Sequence, residues 1–393
     1  MPQRIALELQ ALVAETRRKY PDVRQSADHL LAQWQADADR TVSELQSCKD
    51  PSSHALLQMI VLACETRSPK VIQLALSLLQ SSIPLRILPD TSLATVIDTL
   101  HTLLSAPGRT DVDVQLKILQ IVSSLLVTYA NVTSELLSRA LMLCFTLYEH
   151  SRVVVVSSTA AAMLRQNVMV VFEKVQSEDQ SFDAIQNEDA AVNAPLPVGT
   201  AELPSGPVTL FPCAADVYHL LNDLCALADG QPAQFLPLDT LSKPFVLELL
   251  ESVLTTQSSL FQRHPELVYI LRSAACPFLL KALSKPPASF SVYIRVMRLV
   301  ALLLCEYHKE IVLEVEMLLR ALLDTLDEKH ALWQRVLAWE TMRSLSADSA
   351  FLTFLWDQFD GQADPICVLG RLVECVQQFS RRLRSTLVVD DAL

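Results

Sequence analysis

The chain has 393 residues, of which 51% are hydrophobic and only 19% are charged, so it can bury an extensive core. Its glycine count is the most informative figure, because there are six glycines where an average usage of about 7% predicts roughly 27. Tight hairpins, phosphate-binding loops and nucleophile elbows need glycine for positive φ angles or close backbone approach. The composition therefore argues against an all-β fold, a Rossmann sheet and a P-loop enzyme.

The formal net charge of −12 is carried largely by one stretch of the chain. Between Val175 and Ser242 there is no lysine or arginine, and the same stretch contains ten acidic residues. The rest of the chain is nearly neutral. Because nucleic-acid binding requires a basic face that neutralises phosphates, the sequence predicts no nucleic-acid partner.

Nine cysteines are scattered along the chain without a C-x-x-C pair, and most stand among leucine, valine and alanine. Free thiols in such surroundings behave as small hydrophobic side chains, which favours a reducing compartment. The first residues run directly into an amphipathic pattern, and we find no uninterrupted apolar stretch that approaches the ~20 residues of a membrane span. We expect a soluble cytoplasmic protein without a signal peptide.

Helical periodicity extends through the first half of the chain. Residues 5–18 place apolar side chains on one stripe, and a second helix is predicted from about 23 to 46. Three similar segments then begin near Lys70, Asp113 and Val156, in steps of about 43 residues. This period lies within the ~40–47 residues of HEAT and armadillo units. The sequence therefore predicts an all-α, HEAT/armadillo-like α-solenoid in preference to an irregular helical bundle.

An acidic segment interrupts the helical pattern. Residues 177–212 contain five prolines and two of the six glycines, a composition that cannot bury enough apolar surface to offset the entropy cost of ordering. We therefore predict a flexible acidic linker at 177–212 between helical-repeat halves at 1–176 and 213–393. In the second half, helices are predicted at 244–260, 267–283, 290–307, 311–326, 333–344 and 366–387.

The usual signatures of catalysis and metal binding do not occur in the sequence. It has no metalloprotease histidine pair, Walker lysine, EF-hand loop or Gly-x-Ser-x-Gly motif. Cys305 and His308 stand one helical turn apart without a second ligand pair, so we interpret them as a buried cysteine beside a histidine at the rim. Glu314 and Glu316 diverge on a helix, which indicates a solvated face. We predict no catalytic residue, no metal and no cofactor, and hence a binding function.

Two features are candidates for protein contacts. Arg381, Arg382 and Arg384 lie in the last predicted helix, where cations complement the helix dipole, and contact with an acidic partner or a membrane surface is the alternative. Aromatic and acidic residues gather at 351–361. The simplest interpretation of this second feature is a core helix that ends at Gly361.

Several segments resemble the amino-terminal region of the Mon-two (monensin-sensitivity) family, whose members are relatives of the large Arf guanine-nucleotide exchange factors and lack the Sec-seven domain. The most specific of them is TAAAMLRQ at 159–166, followed by VVFE at 170–173. The others occur in the family's order at 68–76, 141–145, 222–225, 247–254 and 333–335.

The resemblance implies a role for each half of the chain. Residues 1–176 look like a dimerisation and cyclophilin-binding (DCB) domain, and residues 213–393 like a homology-upstream-of-Sec-seven (HUS) domain. It also implies a non-enzymatic cytoplasmic scaffold at trans-Golgi and endosome membranes. The implied partners are a Dopey-family protein, an Arf-like small GTPase and a second copy bound through the N-terminal half. Family members are much longer, so we expect an amino-terminal portion of such a protein.

The family's HUS box is an aromatic-acid element, and Phe359, Asp360 and Gly361 are similar to it without its fuller Asn-Tyr-Asp-Cys form. We expect Phe359 and Asp360 to help join the two halves, because Asp364 and Pro365 can cap the next helix and leave Asp360 free for another partner. A HEAT-repeat nuclear-transport or phosphatase-type adaptor is the alternative to a trafficking scaffold.

Overall fold

The chain forms two compact units, the first comprising residues 1–199, 209–217 and 235–237, and the second residues 200–208, 218–234 and 238–393. The structure is a computed structural model that describes residues 2–17, 19–36, 51–105, 111–187, 196–285, 289–327, 329–361, 369–371, 373–374 and 377.

Helices form nearly all of the described part of the first unit, and several begin with a proline. The fixed φ of proline suits a first helical turn, where its missing N–H costs no hydrogen bond. In chain order the helices are α1 (Pro2–Thr16), α2 (Pro21–Ala36), α3 (Pro51–Glu65), α4 (Pro69–Ser82), α5 (Leu93–Ser105), α6 (Val112–Thr128), α7 (Ser134–His150) and α8 (Val154–Asn187), with a short 3-10 turn (Asp90–Ser92) before α5.

These helices are arranged in two layers. In one layer, α4 contacts α1 on one side and α6 on the other, and α6 contacts α8. The other layer runs from α2 through α3 and α5 to α7, and the layers meet where α3 packs on α4 and α6 packs on α7. Stacked helix pairs that contact mainly their neighbours define an α-solenoid, so the predicted fold class is confirmed.

The predicted repeat is confirmed by the positions at which the helices of one layer begin. Helices α4, α6 and α8 start at Pro69, Val112 and Val154, so their spacing is 43 and then 42 residues. Polar side chains also join neighbouring repeats. Gln80 Nε2, for example, donates to Gln120 Oε1 at 3.1 Å.

The acidic segment 177–212 differs from the prediction of a flexible linker. Helix α8 continues through the first part of it as far as Asn187. Phe182 in this extension packs against Phe211, with ring centroids 4.2 Å apart. This aromatic contact buries apolar surface, which the polar composition of the segment does not predict. Residues 188–195 lie outside the described part of the chain.

A β-hairpin forms the second described part of the same segment. Strand β1 (Gly199–Leu203) pairs with β2 (Gly206–Leu210) in a two-stranded sheet. Gly206, directly after the turn, has a φ of 122°, which glycine adopts far more readily than other residues. The described parts of 177–212 therefore form the end of α8 and a hairpin, where the sequence predicts a flexible linker.

The second unit is also mainly helical in its described residues. Its predicted helices are confirmed to within a few residues, except that the helix predicted at 244–260 divides into two. The helix predicted at 366–387 lies largely outside the described residues. The elements are α9 (Pro212–Asp229), which begins in the first unit, then α10 (Lys243–Thr256), α11 (Ser258–Arg263), α12 (Pro265–Ile270), a π segment (Leu271–Ala275), α13 (Cys276–Ser284), α14 (Phe290–Glu306), α15 (Val312–Asp324), α16 (Leu332–Ser346), α17 (Ser349–Leu355) and a π turn (Trp356–Asp360).

Helix α14 is central in this unit. It packs between α10 and α16 and also contacts α13, which in turn contacts α15. Tyr293 in this helix and Tyr307 directly after it are among the largest fully buried side chains, and the Tyr307 hydroxyl donates to the Leu254 carbonyl at 2.6 Å. This bond stabilises the Tyr307 side chain, because an unpaired polar atom in the core is costly.

Two helical stretches, Val154–Phe182 and Pro265–Ser284, are long and apolar enough to meet the length and composition criterion for a membrane span. Neither stretch is uninterrupted, because Arg165 lies in the first and Arg272 in the second. Core helices of soluble proteins meet the same criterion, and both stretches contribute fully buried residues, such as Phe172 and Leu271.

Candidate interaction sites

Aromatic side chains converge around helix α17 in the second unit. The His308 ring lies 5.7 Å from that of Phe351 and 4.5 Å from that of Phe354. Phe354 meets Phe359 edge-on at 6.1 Å. Tilted and edge-on ring pairs are favourable beyond the area they bury, so this cluster fixes α17 and the π turn that follows it.

His308 is therefore a core residue, and its interpretation as a rim histidine is wrong. It is buried, whereas Cys305 is half-buried. His308 Nδ1 donates to the Cys305 carbonyl at 2.9 Å, which ties the ring to its own helix end. Among the described residues, no group of three or more histidine, cysteine or acidic side chains could hold a metal ion.

The π turn explains the need for a glycine at 361. Gly361 N donates to Trp356 O at 2.6 Å, a bond that spans five residues. A Cβ at this position would lie 2.9 Å from the same carbonyl oxygen and 3.1 Å from the indole nitrogen of Trp356. The close approach of the two backbone segments therefore excludes a larger residue without a shift of the turn.

The predicted interaction residues Phe359 and Asp360 have local partners in this unit. Phe359 is only 6% exposed. Asp360 Oδ2 accepts a hydrogen bond from Leu369 N at 3.0 Å, so the prediction that this carboxylate is free is wrong. Sequence reasoning missed Trp356, which is 57% exposed. The exposure of Trp356 could have been predicted from the sequence. Phe351, Leu355 and Phe359 follow the four-residue spacing of a buried helical stripe, and Trp356 lies beside that stripe.

A cavity of about 600 Å³ lies elsewhere in the second unit, against the turn of the β-hairpin. Its lining includes Ser205 in that turn, Tyr269 on α12, Arg272 in the π segment, and the carboxylates of Glu310 and Glu314. Concave sites with a few convergent polar groups are the usual places where proteins bind ligands. The sequence gives no pattern for this site, because three separate segments form it.

The prediction of a solvated face is wrong for Glu314. Its side chain is only 16% exposed, and its Oε1 accepts from Arg272 Nε at 3.0 Å. Glu316 instead forms an ion pair with Arg320 on its own helix and does not line the cavity. The two carboxylates diverge as predicted, but the hairpin turn and α12 cover one of the two faces.

Comparison with known families matches the two halves separately. Residues 2–179 match the DCB family, described as Mon2/Sec7/BIG1-like, dimerisation and cyclophilin-binding domain. Residues 213–365 match the HUS domain of the same Mon2/Sec7/BIG1-like group. The two matches follow each other in the order DCB and then HUS.

Curated relatives cover nearly the whole chain. The human Protein MON2 homolog is 29% identical over 96% of this chain, and Protein MON2 of Saccharomyces cerevisiae is 26% identical over 96%. The chain belongs to the Mon2 family. It spans about a fifth of the length of these relatives, 22% of each. A Drosophila melanogaster Protein MON2 homolog is similar at 28% identity over 90% of the chain.

In this Mon2-family chain, a buried polar cluster in the first unit lies near the end of the DCB match. Lys174 Nζ donates to the carbonyls of Tyr129 at 2.9 Å and Val132 at 3.3 Å, just beyond the end of α6. Asp216 Oδ1 accepts from Ser134 N at 2.7 Å, at the start of α7. One cation and one anion thus satisfy backbone groups at opposite helix ends, as the helix dipoles favour.

Glu178 completes this polar cluster, because its two carboxylate oxygens accept from Cys213 N and Ala214 N, each at 3.2 Å. The pKa of Asp216 is raised to about 7, mainly by burial and to a smaller extent by the nearby Glu178 charge, while the Ser134 amide and Lys174 act against the increase. Burial also lowers the pKa of Lys174 and raises that of Glu178. The cluster holds the start of α9 against α8.

The remaining predicted site residues, Arg381, Arg382 and Arg384, lie outside the described residues. They also lie beyond the HUS match, which ends at residue 365.

Proposed function

We propose that this Mon2-family chain is a non-catalytic scaffold of Golgi and endosome membrane trafficking that binds partner proteins. Family membership is the observation that carries the proposal. The two-layer solenoid supports it, because stacked helical repeats expose extended surfaces suited to protein binding. The matched domains are DCB and HUS domains, so the proposal assigns the chain no catalytic step.

The proposed partners are a Dopey-family protein and an Arf-like small GTPase, at the cytoplasmic face of trans-Golgi and endosome membranes. We also propose a homodimer through the first unit, which the description of the matched DCB family as a dimerisation domain supports. Arg381, Arg382 and Arg384 are proposed to contact an acidic partner or the membrane surface.

In the second unit, the π turn is the proposed partner contact. Exposed aromatic side chains are common anchors of protein interfaces, and Trp356 is such a residue. Phe359, Asp360 and Gly361 would act indirectly, by fixing the conformation of the turn that presents Trp356.

One experiment separates a scaffold from a nucleotide-exchange factor. The purified chain is added to Arf-type and Arf-like GTPases loaded with a fluorescent nucleotide, and nucleotide release is followed. We expect no change in the release rate with increasing chain concentration. A dose-dependent acceleration would contradict the non-catalytic assignment.

A second experiment separates the trafficking scaffold from a nuclear-transport adaptor. The tagged chain and its Trp356→Ala variant are expressed in cells and imaged. The proposal expects juxtanuclear puncta for the unmodified chain and a more diffuse signal for the variant. A nuclear-rim signal would favour the adaptor.

A further inference from the structure

We propose that the cavity beside the hairpin turn of the second unit binds an arginine side chain of a partner protein. This inference rests on the proposed scaffold function and specifies the chemistry of one partner. All residues that line the cavity belong to the second unit.

An irregular helix shapes one wall of the cavity. Cys276 N donates to Leu271 O five residues earlier, and Pro277 has no N–H to bond the Ser273 carbonyl, so the helix widens here into a π segment. Arg272 and Ser273 within this segment both line the cavity. Single π turns inside α-helices are frequent at functional sites.

Charge gives the cavity its selectivity. Glu314 uses one carboxylate oxygen for Arg272, but its Oε2 is buried and has no hydrogen-bond partner among the described residues. The same is true of Glu310 Oε2. Arg272 balances only one of the two carboxylates that line the cavity, so the lining keeps a net negative charge. A cationic ligand that supplies N–H groups matches this charge and can donate to the carboxylates.

A guanidinium group matches these features better than other cations. It presents several N–H donors in one plane and can therefore serve two carboxylates at once. Tyr269 supplies an aromatic ring in the lining, and a cation over such a ring is attracted to its face. The apolar stem of an arginine can lie along Pro265 and Val268, which also line the cavity.

Size and charge decide against the simpler ligands. The volume of about 600 Å³ greatly exceeds that of one ion, and no metal-binding group of three side chains exists among the described residues. The negative balance disfavours an anion. A basic segment of a protein fits both the size and the charge, and the chain's net charge of −12 would also favour its approach.

The test uses the whole chain and two peptide pools that differ in one atom group. One pool has a central arginine between mixed flanking residues, and the other has citrulline, which keeps the shape without the charge. Ligand-observed NMR titrations give the dissociation constants, down to about millimolar affinity. We expect the arginine pool to bind at least about tenfold more tightly, as the loss of charge-assisted hydrogen bonds implies.

Variants assign this selectivity to the cavity. The double variant Glu310→Gln, Glu314→Gln should bind both pools equally. Ser205→Trp, which places a bulky side chain at the exposed rim, should weaken arginine binding without changing the charge. Glu306→Gln, Glu316→Gln carries the same charge change outside the cavity and should bind as the unmodified chain does. Thermal unfolding confirms that each variant is folded.

Equal binding of the two pools to the unmodified chain would overturn the inference, and so would undiminished selectivity in the folded cavity variants. Failure of the scaffold function is distinguishable from this result. A chain that selects arginine in vitro but lacks trafficking partners contradicts the proposed function alone, whereas a chain with those partners and no selectivity contradicts the cavity inference alone.

Discussion

Replacement of Asp216 by asparagine should stabilise the protein at alkaline pH. Asp216 is 2% exposed, and its pKa of about 7 is far above the 3.8 of an ordinary aspartate. The folded protein therefore binds this proton more tightly than the unfolded chain does. Stability is highest below the unfolded pKa, falls as pH rises from about 4 to about 7, and stays low above that.

The size of the effect follows from the two pKa values. A difference of about three units corresponds to about 4 kcal/mol of lost stability above pH 7, as an upper limit. Asparagine removes this loss and keeps an oxygen that can accept from Ser134 N. Lys174 loses its ionised neighbour in the variant, which offsets part of the gain. We therefore expect the variant to exceed the original protein by about 1–3 kcal/mol near pH 8, and by much less near pH 5.

Urea denaturation of the full chain at several pH values measures this difference, with the midpoint of the transition of the first unit as the readout. The control is Asp216→Ala, which removes the charge and also leaves Ser134 N without its partner. It should gain less than the asparagine variant at every pH. If the asparagine variant gains nothing between about pH 5 and about pH 8, the reasoning that burial disfavours the Asp216 carboxylate is refuted.

Three further predictions concern the second unit. Phe359→Ala should lower the stability of the second unit by about 3–4 kcal/mol, because it opens the aromatic core. Trp356→Ala should change the melting temperature of that unit little, because the Trp356 side chain is exposed. Equal losses in the two variants would contradict the different burial of the two rings. Gly361→Ala should lower the melting temperature by several degrees, since its Cβ meets the Trp356 carbonyl, and an unchanged value would contradict the tight turn. Cys225, whose pKa burial raises to about 12, should resist alkylation in the folded chain far longer than half-buried Cys305, as mass spectrometry of alkylated peptides would show.

The sequence predicted the parts of the fold that depend on periodic apolar side chains. Helices α4, α6 and α8 could be placed because each buries a stripe with helical spacing, and the 43-residue step follows from their similarity. The β-hairpin at 199–210 was missed because each strand has only five residues and begins with glycine, and the second also contains a proline, residues that are depleted in strands. The order of this region depends on packing contacts, such as that between Phe182 and Phe211, which amino-acid composition does not predict.

The interaction sites were less predictable for the same reason. The sequence singles out Phe359, Asp360 and Gly361 as one element, but the burial of Phe359 and the bond from Leu369 to Asp360 arise from tertiary packing. The cavity combines a hairpin turn, a π segment and the start of α15, and no local pattern connects Ser205 with Glu314.

The most direct test of the proposed scaffold function is the binding of the purified chain to a purified Dopey-family protein, measured by isothermal titration calorimetry. The proposed function predicts saturable binding with a dissociation constant of about 1 μM or lower, and weaker binding for the folded Trp356→Ala variant. Absence of binding at about 100 μM of each protein would contradict the proposed contact between this chain and its partner.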